Sequence, residues 1–411
     1  MNIQKMQIAD LNAAKYNPRK KLKPGDAEFE TLKRSIENFG VVEPPIFNIR
    51  TKTVVGGHQR LSVMKSLGYT ETDVVIVDIS EAEEKALNVA LNKISGEWDE
   101  LLLTDLMSEL KTMGFDTELT GFSMDEVEKM FNGDGDGNVK AEKNKYDPDE
   151  AAKEPPFVLR GDLWRLKNHR LLVGDSTNAA DIARLMDGKK ANLLLTDFPY
   201  NVNYEGKAGK IQNDNMSQED FYKFLLTVFT NVEAVMDDEA SCYIFHSDTN
   251  GEWFRRAFRE AGFKLSGVCQ WVKPSLVLGR SPYQWQNEPV LFGWKAKGKH
   301  KWYAGRAETT IWNFDKTKKN DLHPTMKPLD LLAYPLKNSS TANAIVLDVF
   351  SGSFSTGMTC EQLNRICYAM EIDERYASAS IKRFVAEYGA DSVTVERDGK
   401  ILNFSEVVDN A

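Results

Sequence analysis

The chain has 411 residues, of which 42 % are hydrophobic and 27 % charged, and its formal net charge is −9. This length predicts two or three domains, and the composition is typical of a soluble globular protein. The acidic balance argues against a broadly basic nucleic-acid coat, but it allows a local basic groove. No apolar run is long enough for a membrane span, and the first residues lack an apolar signal core. We therefore expect a cytoplasmic protein without membrane contact.

The cysteines do not predict a metal site. Cys242, Cys269, Cys360 and Cys367 lie in apolar stretches and lack the paired spacing of metal ligands. This arrangement favours reduced, buried side chains in an intracellular protein.

In the front part, charged and apolar positions alternate at helical spacing and short apolar runs alternate with turns. The predicted elements are a helix at 27–39, strands at 44–49 and 53–55, a helix after the box at 56–60, a strand at 74–79, and helices at 81–92 and 98–112. Residues 131–156 follow, with many Gly, Asp, Lys and Pro residues and almost no large apolar ones. Such a segment cannot bury enough surface to offset its ordering entropy, so we predict a flexible linker.

A glycine-containing box, Gly56-Gly57-His58-Gln59-Arg60, stands between a predicted strand and a predicted helix. Glycines at a helix start let backbone amides approach an anion, and Arg60 adds positive charge. In the alternative interpretation the box is a turn in which His58 and Arg60 only cap and solvate the helix. Both interpretations stay open.

Together with Tyr16-Asn17-Pro18-Arg19, this box resembles the ParB N-terminal domain, with its ParB/sulfiredoxin-like fold, over residues 1–95. The resemblance implies a smaller α+β domain with a nucleotide site at Gly57, His58, Gln59 and Arg60. CTP is the candidate ligand, since some members bind or hydrolyse CTP and others are nucleases. The helix–turn–helix of partition proteins is not recognisable next, so we interpret residues 96–130 as a helical extension and disfavour a role in chromosome segregation.

Behind the linker, buried strands alternate with amphipathic helices. The predicted elements are a hairpin at 162–166 and 170–173, a helix ending at 185, a strand at 193–195, a helix at 221–235, a strand at 241–246, a helix at 252–262, a strand at 346–347, a helix at 356–364 and a strand at 368–372. This order predicts an α/β fold with a mostly parallel sheet covered on both faces. Ligands of such sheets bind beyond the carboxyl ends of the strands.

Two distant segments end at this edge. One is the apolar run at 193–195 followed by Thr196-Asp197-Phe198-Pro199-Tyr200, and the other is Ile345-Val346-Leu347-Asp348-Val349-Phe350-Ser351-Gly352-Ser353. Between them lies His323-Pro324-Thr325-Met326-Lys327-Pro328. Because both runs are predicted parallel strands, we expect their loops to face each other across one crevice.

In this order the three segments resemble the S-adenosylmethionine-dependent DNA amino-methyltransferases of the permuted type, over residues 160–385. The resemblance implies a Rossmann-like methyltransferase domain at 157–390, with target recognition at about 265–320 and a C-terminal tail at 391–411. It also implies S-adenosylmethionine as cofactor, double-stranded DNA as partner, and a restriction–modification or phage setting. A homodimer is left open. Lysines interleaved with Trp and Tyr at 265–320 suit phosphate contact and base stacking, although they are also compatible with packing and a solvated face.

The resemblance assigns the catalytic box to Asp197, Phe198, Pro199 and Tyr200. The lone pair of an exocyclic amine is delocalised, so a catalyst must hold its hydrogens and favour tetrahedral nitrogen. Asp197 can accept one hydrogen and the carbonyl of residue 198 the other. Tyr200 can stack on an extruded base, and Pro199 fixes the turn.

The resemblance also assigns the cofactor side. The matching residues are Asp175, Asp197, His323, Thr325, Lys327, Asp348, Phe350, Gly352, Ser353 and Glu371. Loop amides near Gly352 would meet the methionine carboxylate, Glu371 the ribose hydroxyls, and Asp175 the region of the adenine. The box at 323–328 would close over the cofactor. For each polar residue alone, a helix cap or a loop salt bridge is the alternative.

Two positions depart from the family pattern. Phe198 stands where proline is usual, and Phe354 where glycine is usual. At 354 a side chain either adopts a positive φ, which costs on the order of 1–3 kcal/mol, or fills the methionine slot. An aspartate opening the catalytic box favours adenine N6 as the target. The alternatives are a cytosine-N4 methyltransferase, a silent DNA-binding homologue with a blocked slot, and a chain whose front domain supplies the main activity as a CTP switch or nuclease.

Overall fold

The computed structural model describes residues 2–19, 21–92, 98–133, 147–202, 205–206, 209–210, 215–278, 282–305, 307–314 and 326–408. Within it the chain divides into two compact units, Met1–Phe131 and Asn132–Ala411. Half of the predicted linker, residues 134–146, lies outside the described residues, as do His323 and Thr325 of the predicted cofactor box.

The front unit is built on a five-stranded sheet with helices against it. Its strands are β1 (Ile3–Gln7), β2 (Asn12–Ala13), β3 (Ile46–Asn48), β4 (Thr53–Gly56) and β5 (Glu71–Val77). Its helices are α1 (Ala27–Phe39), α2 (His58–Ser66), α3 (Glu81–Asn92), α4 (Glu100–Thr112) and α5 (Met124–Asn132), which ends at the boundary of the unit. The strand order is β1-β5-β3-β4-β2, with parallel and antiparallel neighbours. The predicted α+β front domain is confirmed.

The back unit contains an eleven-stranded mixed sheet. Its strands are β6 (Leu163–Leu166), β7 (His169–Val173), β8 (Ala191–Asp197), β11 (Met236–Phe245), β12 (Phe263–Val277), β13 (Trp285–Lys295), β14 (Ile311–Asn313), β15 (Ile345–Asp348), β16 (Ile366–Glu371), β17 (Val393–Arg397) and β18 (Lys400–Asn403), and a separate small hairpin joins β9 (Glu205–Gly206) to β10 (Gly209–Lys210). The helices are α6 (Pro148–Ala151), α7 (Ala179–Met186), α8 (Gln218–Val235), α9 (Gly251–Glu260), α10 (Leu329–Ser339), α11 (Ser355–Gln362), α12 (Glu374–Tyr388) and α13 (Phe404–Val408).

The centre of this sheet is parallel. Strands β11, β8, β15, β16 and β7 are neighbours in that order, and each adjacent pair runs parallel. Antiparallel strands flank the centre on both sides. The Rossmann-like α/β fold is therefore confirmed, and its five central carboxyl ends share one edge.

Helices cover both faces of the sheet, as the alternation of the β8 side chains between two hydrophobic clusters shows. Leu193 and Leu195 pack in the cluster that includes α10, α11 and α12, whereas Leu194 packs in the cluster of α7, α8 and α9. All four cysteines are buried and free, as predicted. Within the described ranges no helix is both long and apolar enough for a membrane span.

The structure corrects the expectation of a C-terminal tail at 391–411. Strand β17 pairs antiparallel with β6, with Val393 opposite Leu166, and β18 extends the sheet by one more strand. Val393 and Val395 are both buried. Their period-two spacing was the available signal, since alternating valines are typical of a half-buried strand.

Candidate active site

The two predicted loops meet at the carboxyl edge of β8 and β15. Leu193 and Leu194 of β8 are paired with Val346 and Leu347 of β15. Just beyond the ladder, Thr196 Oγ1 donates a hydrogen bond to Asp348 Oδ1 at 2.8 Å. In the loops themselves, the rings of Phe198 and Phe350 lie 4.6 Å apart between centroids.

Asp197 lies at the end of β8 with two close donors. Its Oδ1 accepts a hydrogen bond from the Tyr200 hydroxyl at 2.8 Å, and its Oδ2 accepts one from Lys327 Nζ at 2.7 Å. Lys327 precedes α10, and its side chain is only 8 % exposed. The fold thus brings together three predicted site residues from opposite ends of the domain.

Two further charged residues join this cluster: Glu288, which the sequence did not single out, and Lys273, which lies among the lysines predicted for phosphate contact at 265–320. Glu288 of β13 places Oε2 3.0 Å from Lys327 Nζ and Oε1 2.5 Å from Lys273 Nζ of β12. The Tyr200 hydroxyl also lies 3.2 Å from Glu288 Oε2. The only sequence signal was an acid at the start of the apolar run of β13, which is equally typical of an exposed strand end.

Opposite charges fix the ionisation of the cluster. Burial acts to raise the pKa of Glu288, but Lys327 and Lys273 outweigh it and lower this pKa to about 2. Burial likewise acts to lower the pKa of Lys327, yet Asp197 and Glu288 raise it above its ordinary value. Glu288 is therefore a carboxylate and Lys327 an ammonium near neutral pH.

On the other side of the crevice, predicted cofactor residues line the same edge. Glu371 ends β16 directly opposite Val173 of β7, and Asp175 lies two positions further on. The Glu371 carboxylate accepts hydrogen bonds from the backbone amides of Gly352, at 2.8 Å, and Asp373, at 2.9 Å. The Gly352 amide, which the resemblance assigned to the methionine carboxylate, is thus engaged by Glu371 in this structure.

The loop around Gly352 is held by hydrogen bonds from α12 on one side and is open at Gly352 on the other. The Ser380 hydroxyl donates to the Gly352 carbonyl at 2.7 Å, and Arg383 donates to the Ser353 carbonyl. Gly352 has a φ of 49°, and a Cβ there would have nothing within 4 Å. The buried Ser351 hydroxyl has no partner among the described residues. An open, polar cradle of this kind fits a ligand with hydrogen-bonding groups.

Phe354 points away from this cradle. Its ring is fully buried in the hydrophobic cluster beneath the loop, with centroids 6.3 Å from His169 and 6.2 Å from Phe384. Its φ is 60°, the left-handed region predicted for this position. A Cβ at Gly357 would overlap the Phe354 ring. The ring therefore lies in the core and not in the methionine slot.

In the front unit, the predicted box lies at the start of α2. Gly57 has a φ of 84° and precedes the helix. His58 Nε2 accepts a hydrogen bond from the Ala14 amide at 3.3 Å, and burial lowers the pKa of His58 to about 4. Arg60 is paired with Glu43. His58 is therefore a neutral structural acceptor, and Arg60 is the charged group of the box.

Comparisons with known families match these parts of the chain. Residues 191–382 match the DNA methylase family of the N6/N4 type, residues 1–93 match the ParB N-terminal domain, and residues 101–160 match the ParB-methyltransferase HTH domain. The chain therefore combines a DNA methylase domain of the N6/N4 type with a ParB N-terminal domain and a ParB-methyltransferase HTH domain. The sequence alone did not reveal a helix–turn–helix after the front domain, and the match at 101–160 corrects the interpretation of residues 96–130 as a simple helical extension.

Relatives of this methylase cover about half of it. The DNA adenine methyltransferase YhdJ of Escherichia coli (strain K12) is 24 % identical over 255 residues, which is 53 % of this chain and 85 % of YhdJ. The type II methyltransferase M.HpaI of Haemophilus parainfluenzae is 23 % identical over 240 residues, 53 % of this chain and 76 % of the relative. The crystal structure of the M1.HpyAVI–SAM complex is 24 % identical with a TM-score of 0.41, and the match covers 52 % of this chain and 98 % of that one.

The core position of the Phe354 ring gives a prediction for Phe354 and Gly357. Phe354→Gly should lower the free energy of unfolding by about 2–4 kcal/mol, because the lost ring outweighs the relieved backbone strain. Gly357→Ala should destabilise the wild type, although glycine-to-alanine changes inside helices usually stabilise. In the Phe354→Gly background the same change should be neutral or stabilising. Chemical denaturation of the four variants measures this, and equal effects of Gly357→Ala in both backgrounds would contradict the packing.

Glu371 predicts a pH dependence of stability. Burial raises the pKa of Glu371 from 4.5 to about 7. Between these values the folded chain holds a proton that the unfolded chain has lost, so this group's contribution to stability falls as pH rises and is constant above about pH 7. Relative to Glu371→Gln, the free energy of unfolding of the wild type should therefore decrease from about pH 5 to about pH 8. Parallel pH profiles of the two proteins would contradict this assignment.

Proposed function

We propose that this methylase transfers a methyl group from S-adenosylmethionine to the N6 amine of adenine in double-stranded DNA. The observation that supports this best is the Asp197–Tyr200 pair at the end of β8, which lies directly beside the loop of β15. One loop offers a carboxylate and an aromatic ring for a base, and the other offers an open polar cradle for a cofactor. The match to the DNA methylase family supports the same reaction class.

The residues of the cradle fit the cofactor. When bound, S-adenosylmethionine supplies a methyl group made electrophilic by its positively charged sulfur. Glu371 would accept hydrogen bonds from ribose hydroxyls, and the open face over Gly352 would admit the methionine part. Asp348 would position neighbouring groups and not contact the cofactor itself, because its carboxylate is buried and accepts hydrogen bonds from the Thr196 hydroxyl and the Phe350 amide.

On the base side, Asp197 would accept a hydrogen of the amine and stabilise the positive charge that grows on its nitrogen. The Tyr200 ring would stack on the extruded base. The backbone here is firmly held: Asn250 Nδ2 and Ser247 Oγ donate to the Tyr200 carbonyl at 2.8 and 3.2 Å. Such fixed geometry favours catalysis because the acceptors need not reorganise during reaction.

Phe198 lacks the fixed backbone angle of the proline that is usual here, but its side chain is anchored by packing. Its side chain is buried, with ring centroids 4.9 Å from Phe229 and 5.7 Å from Phe254. Packing on three sides, completed by Phe350, restrains the side chain of this residue. The Phe198 carbonyl can therefore keep its aim at the amine.

The silent DNA-binding homologue is the weaker candidate. Its physical basis was a phenyl ring in the methionine slot, and the Phe354 ring is buried in the core. Adenine is favoured over cytosine because an aspartate opens the catalytic box, and a relative that covers half the chain is named a DNA adenine methyltransferase. N4 of cytosine presents the same amine chemistry and is a distinct outcome of the test below.

DNA contact is proposed for the long hairpin of β12 and β13, which lies in the predicted recognition region at about 265–320. Near its tip, Tyr283 is 90 % exposed and Trp285 is 45 % exposed. Exposed aromatic rings suit stacking on bases or sugars. Within this predicted region, Arg280 and residues 316–319, which add further positive charge, lie outside the described residues.

The methylation proposal predicts a defined product. DNA incubated with the protein and S-adenosylmethionine should contain N6-methyladenine, detected by mass spectrometry of its nucleosides. Asp197→Asn should lower the single-turnover rate by at least about 100-fold, because the amide cannot stabilise the growing charge. The matched control Asp187→Asn changes a surface aspartate that pairs with Arg170 and should leave the rate unchanged. N4-methylcytosine would reassign the base, and no methyl mark with bound cofactor would favour the silent homologue.

For the front unit we propose a nucleotide site at the start of α2, with CTP as the ligand to test. The Arg60 and Arg19 Nε atoms are buried without partners among the described residues. Burial lowers the pKa of Arg19, and the nearby charge of Arg60 acts in the same direction. Two neighbouring cations beside a helix start suit phosphate groups.

Calorimetry with CTP tests the front site. Arg60→Ala should weaken binding at least about tenfold, since it removes a charge-assisted contact. His58→Ala should act through lower stability of the unit, because His58 holds the Ala14 amide. Wild-type protein without heat of binding would remove the nucleotide proposal without affecting the methylation proposal.

A further inference from the structure

Lys327 is shared between two carboxylates. Its three ammonium hydrogens have three acceptors: Asp197 Oδ2 at 2.7 Å, Glu288 Oε2 at 3.0 Å and the Tyr200 hydroxyl oxygen at 3.2 Å. The Tyr200 hydroxyl in turn donates to Asp197. The three ammonium hydrogens of Lys327 and the hydroxyl hydrogen of Tyr200 are all used, so the positions of these two residues are coupled.

This arrangement opposes the proposed role of Asp197. An aspartate that stabilises positive charge on an amine must have negative charge of its own to offer. An ammonium 2.7 Å from its carboxylate largely cancels that charge. The base amine and Lys327 therefore compete for the same carboxylate.

Glu288 provides the second position for Lys327. It is already within hydrogen-bond distance, and its other oxygen is neutralised by Lys273. The rings of Tyr200, Phe245 and Trp271 have their centroids 5.5, 5.2 and 5.9 Å from Lys327 Nζ. Such rings stabilise a cation without fixing its direction, so a shift of a few tenths of an ångström toward Glu288 needs no new desolvation.

We propose that Glu288 is a positioning residue for methyl transfer, which holds Lys327 off Asp197 when the target amine binds, so that the Asp197 carboxylate acts with its full negative charge. Lys273 balances Glu288 while Lys327 is paired with Asp197. The cluster contains two acids and two lysines and stays neutral overall in both arrangements. This inference rests on the proposed function, because it concerns the same carboxylate and the same amine.

A double-mutant cycle on single-turnover methylation tests it at saturating S-adenosylmethionine. With Lys327 present, Glu288→Gln should slow methyl transfer roughly tenfold to a hundredfold, because the ammonium then remains on Asp197. In a Lys327→Met background the same change should cost less than about threefold, because no cation remains to be drawn away. Equal costs in both backgrounds, or no cost in the first, would overturn the proposal.

A matched control separates this effect from general damage. Glu260 also joins a tyrosine and a cation, since it accepts hydrogen bonds from Tyr222 and Arg256, but it does so on the surface of α9. Glu260→Gln should leave the rate within about twofold of the wild type. Binding of extruded base should also survive Glu288→Gln, with unchanged fluorescence from DNA carrying 2-aminopurine. Loss of that fluorescence signal together with the rate would show a structural role and overturn the proposal.

A measurement without catalysis tests the charge coupling separately. The titratable groups that act on Asp197 among the described residues include Tyr200, Lys327, Glu288 and Asp348. In carboxyl NMR of protein labelled with 13C-aspartate, Glu288→Gln should lower the pKa of Asp197, because Lys327 is no longer shared. An unchanged Asp197 titration would overturn the inference even if the wild type methylates DNA. If the wild type does not methylate DNA but the Asp197 pKa still shifts in Glu288→Gln, the proposed function is refuted and the charge coupling stands.

Discussion

The parallel ladder between β8 and β15 is the constraint on which the site depends. Leu193 and Leu194 face Val346 and Leu347 across it, and the Thr196–Asp348 hydrogen bond closes its end. A slip of one residue would exchange the two faces of β8 and place Leu194 in the wrong core cluster, so burial fixes the register. Once the register is fixed, both strands end at the same edge of the sheet, and the loops that follow them begin there. Packing of the apolar side chains of β8 and β15 thus determines how far apart the polar groups of the two loops lie.

Beyond that edge the ionic cluster is held in a site with little water. Glu288 and Lys327 expose only 16 % and 8 % of their side chains. Removing such charges from water is costly, and mutual attraction compensates only when each has partners in good geometry. A buried cluster of this kind is weak evidence for stability, since apolar residues of the same volume would serve as well. Its place beside Asp197 is better explained by chemistry, because the proposed shift of Lys327 would leave the Asp197 carboxylate with its full charge.

The sequence predicted the groups that belong to continuous elements. Asp197, Asp348 and Glu371 each follow an apolar strand, and that pattern is local. Glu288 and Lys273 were not predictable in the same way, because they reach the cluster only after the antiparallel pair β12–β13 docks on β11. That contact depends on tertiary packing and leaves no periodic signal in the chain. Strands β17 and β18 were missed although Val393 and Val395 alternate, because two short strands at the margin of the sheet resemble a tail until the partner strand β6 is known.

At position 354 a phenylalanine replaces the glycine of the family pattern, and its ring packs in the core, away from the open cradle at Gly352. The backbone constraint was legible, because glycine is usual there and φ is 60°. The direction of the ring was not, since it depends on free space beneath the loop. That space exists because Gly357, three residues later, lacks a side chain on the face toward the ring. The strain of a left-handed phenylalanine is then offset by burial of its ring against His169 and Phe384. The ring of Phe354 therefore contributes to the stability of the core beneath the loop, whereas the backbone of Phe354 belongs to the loop that faces the crevice.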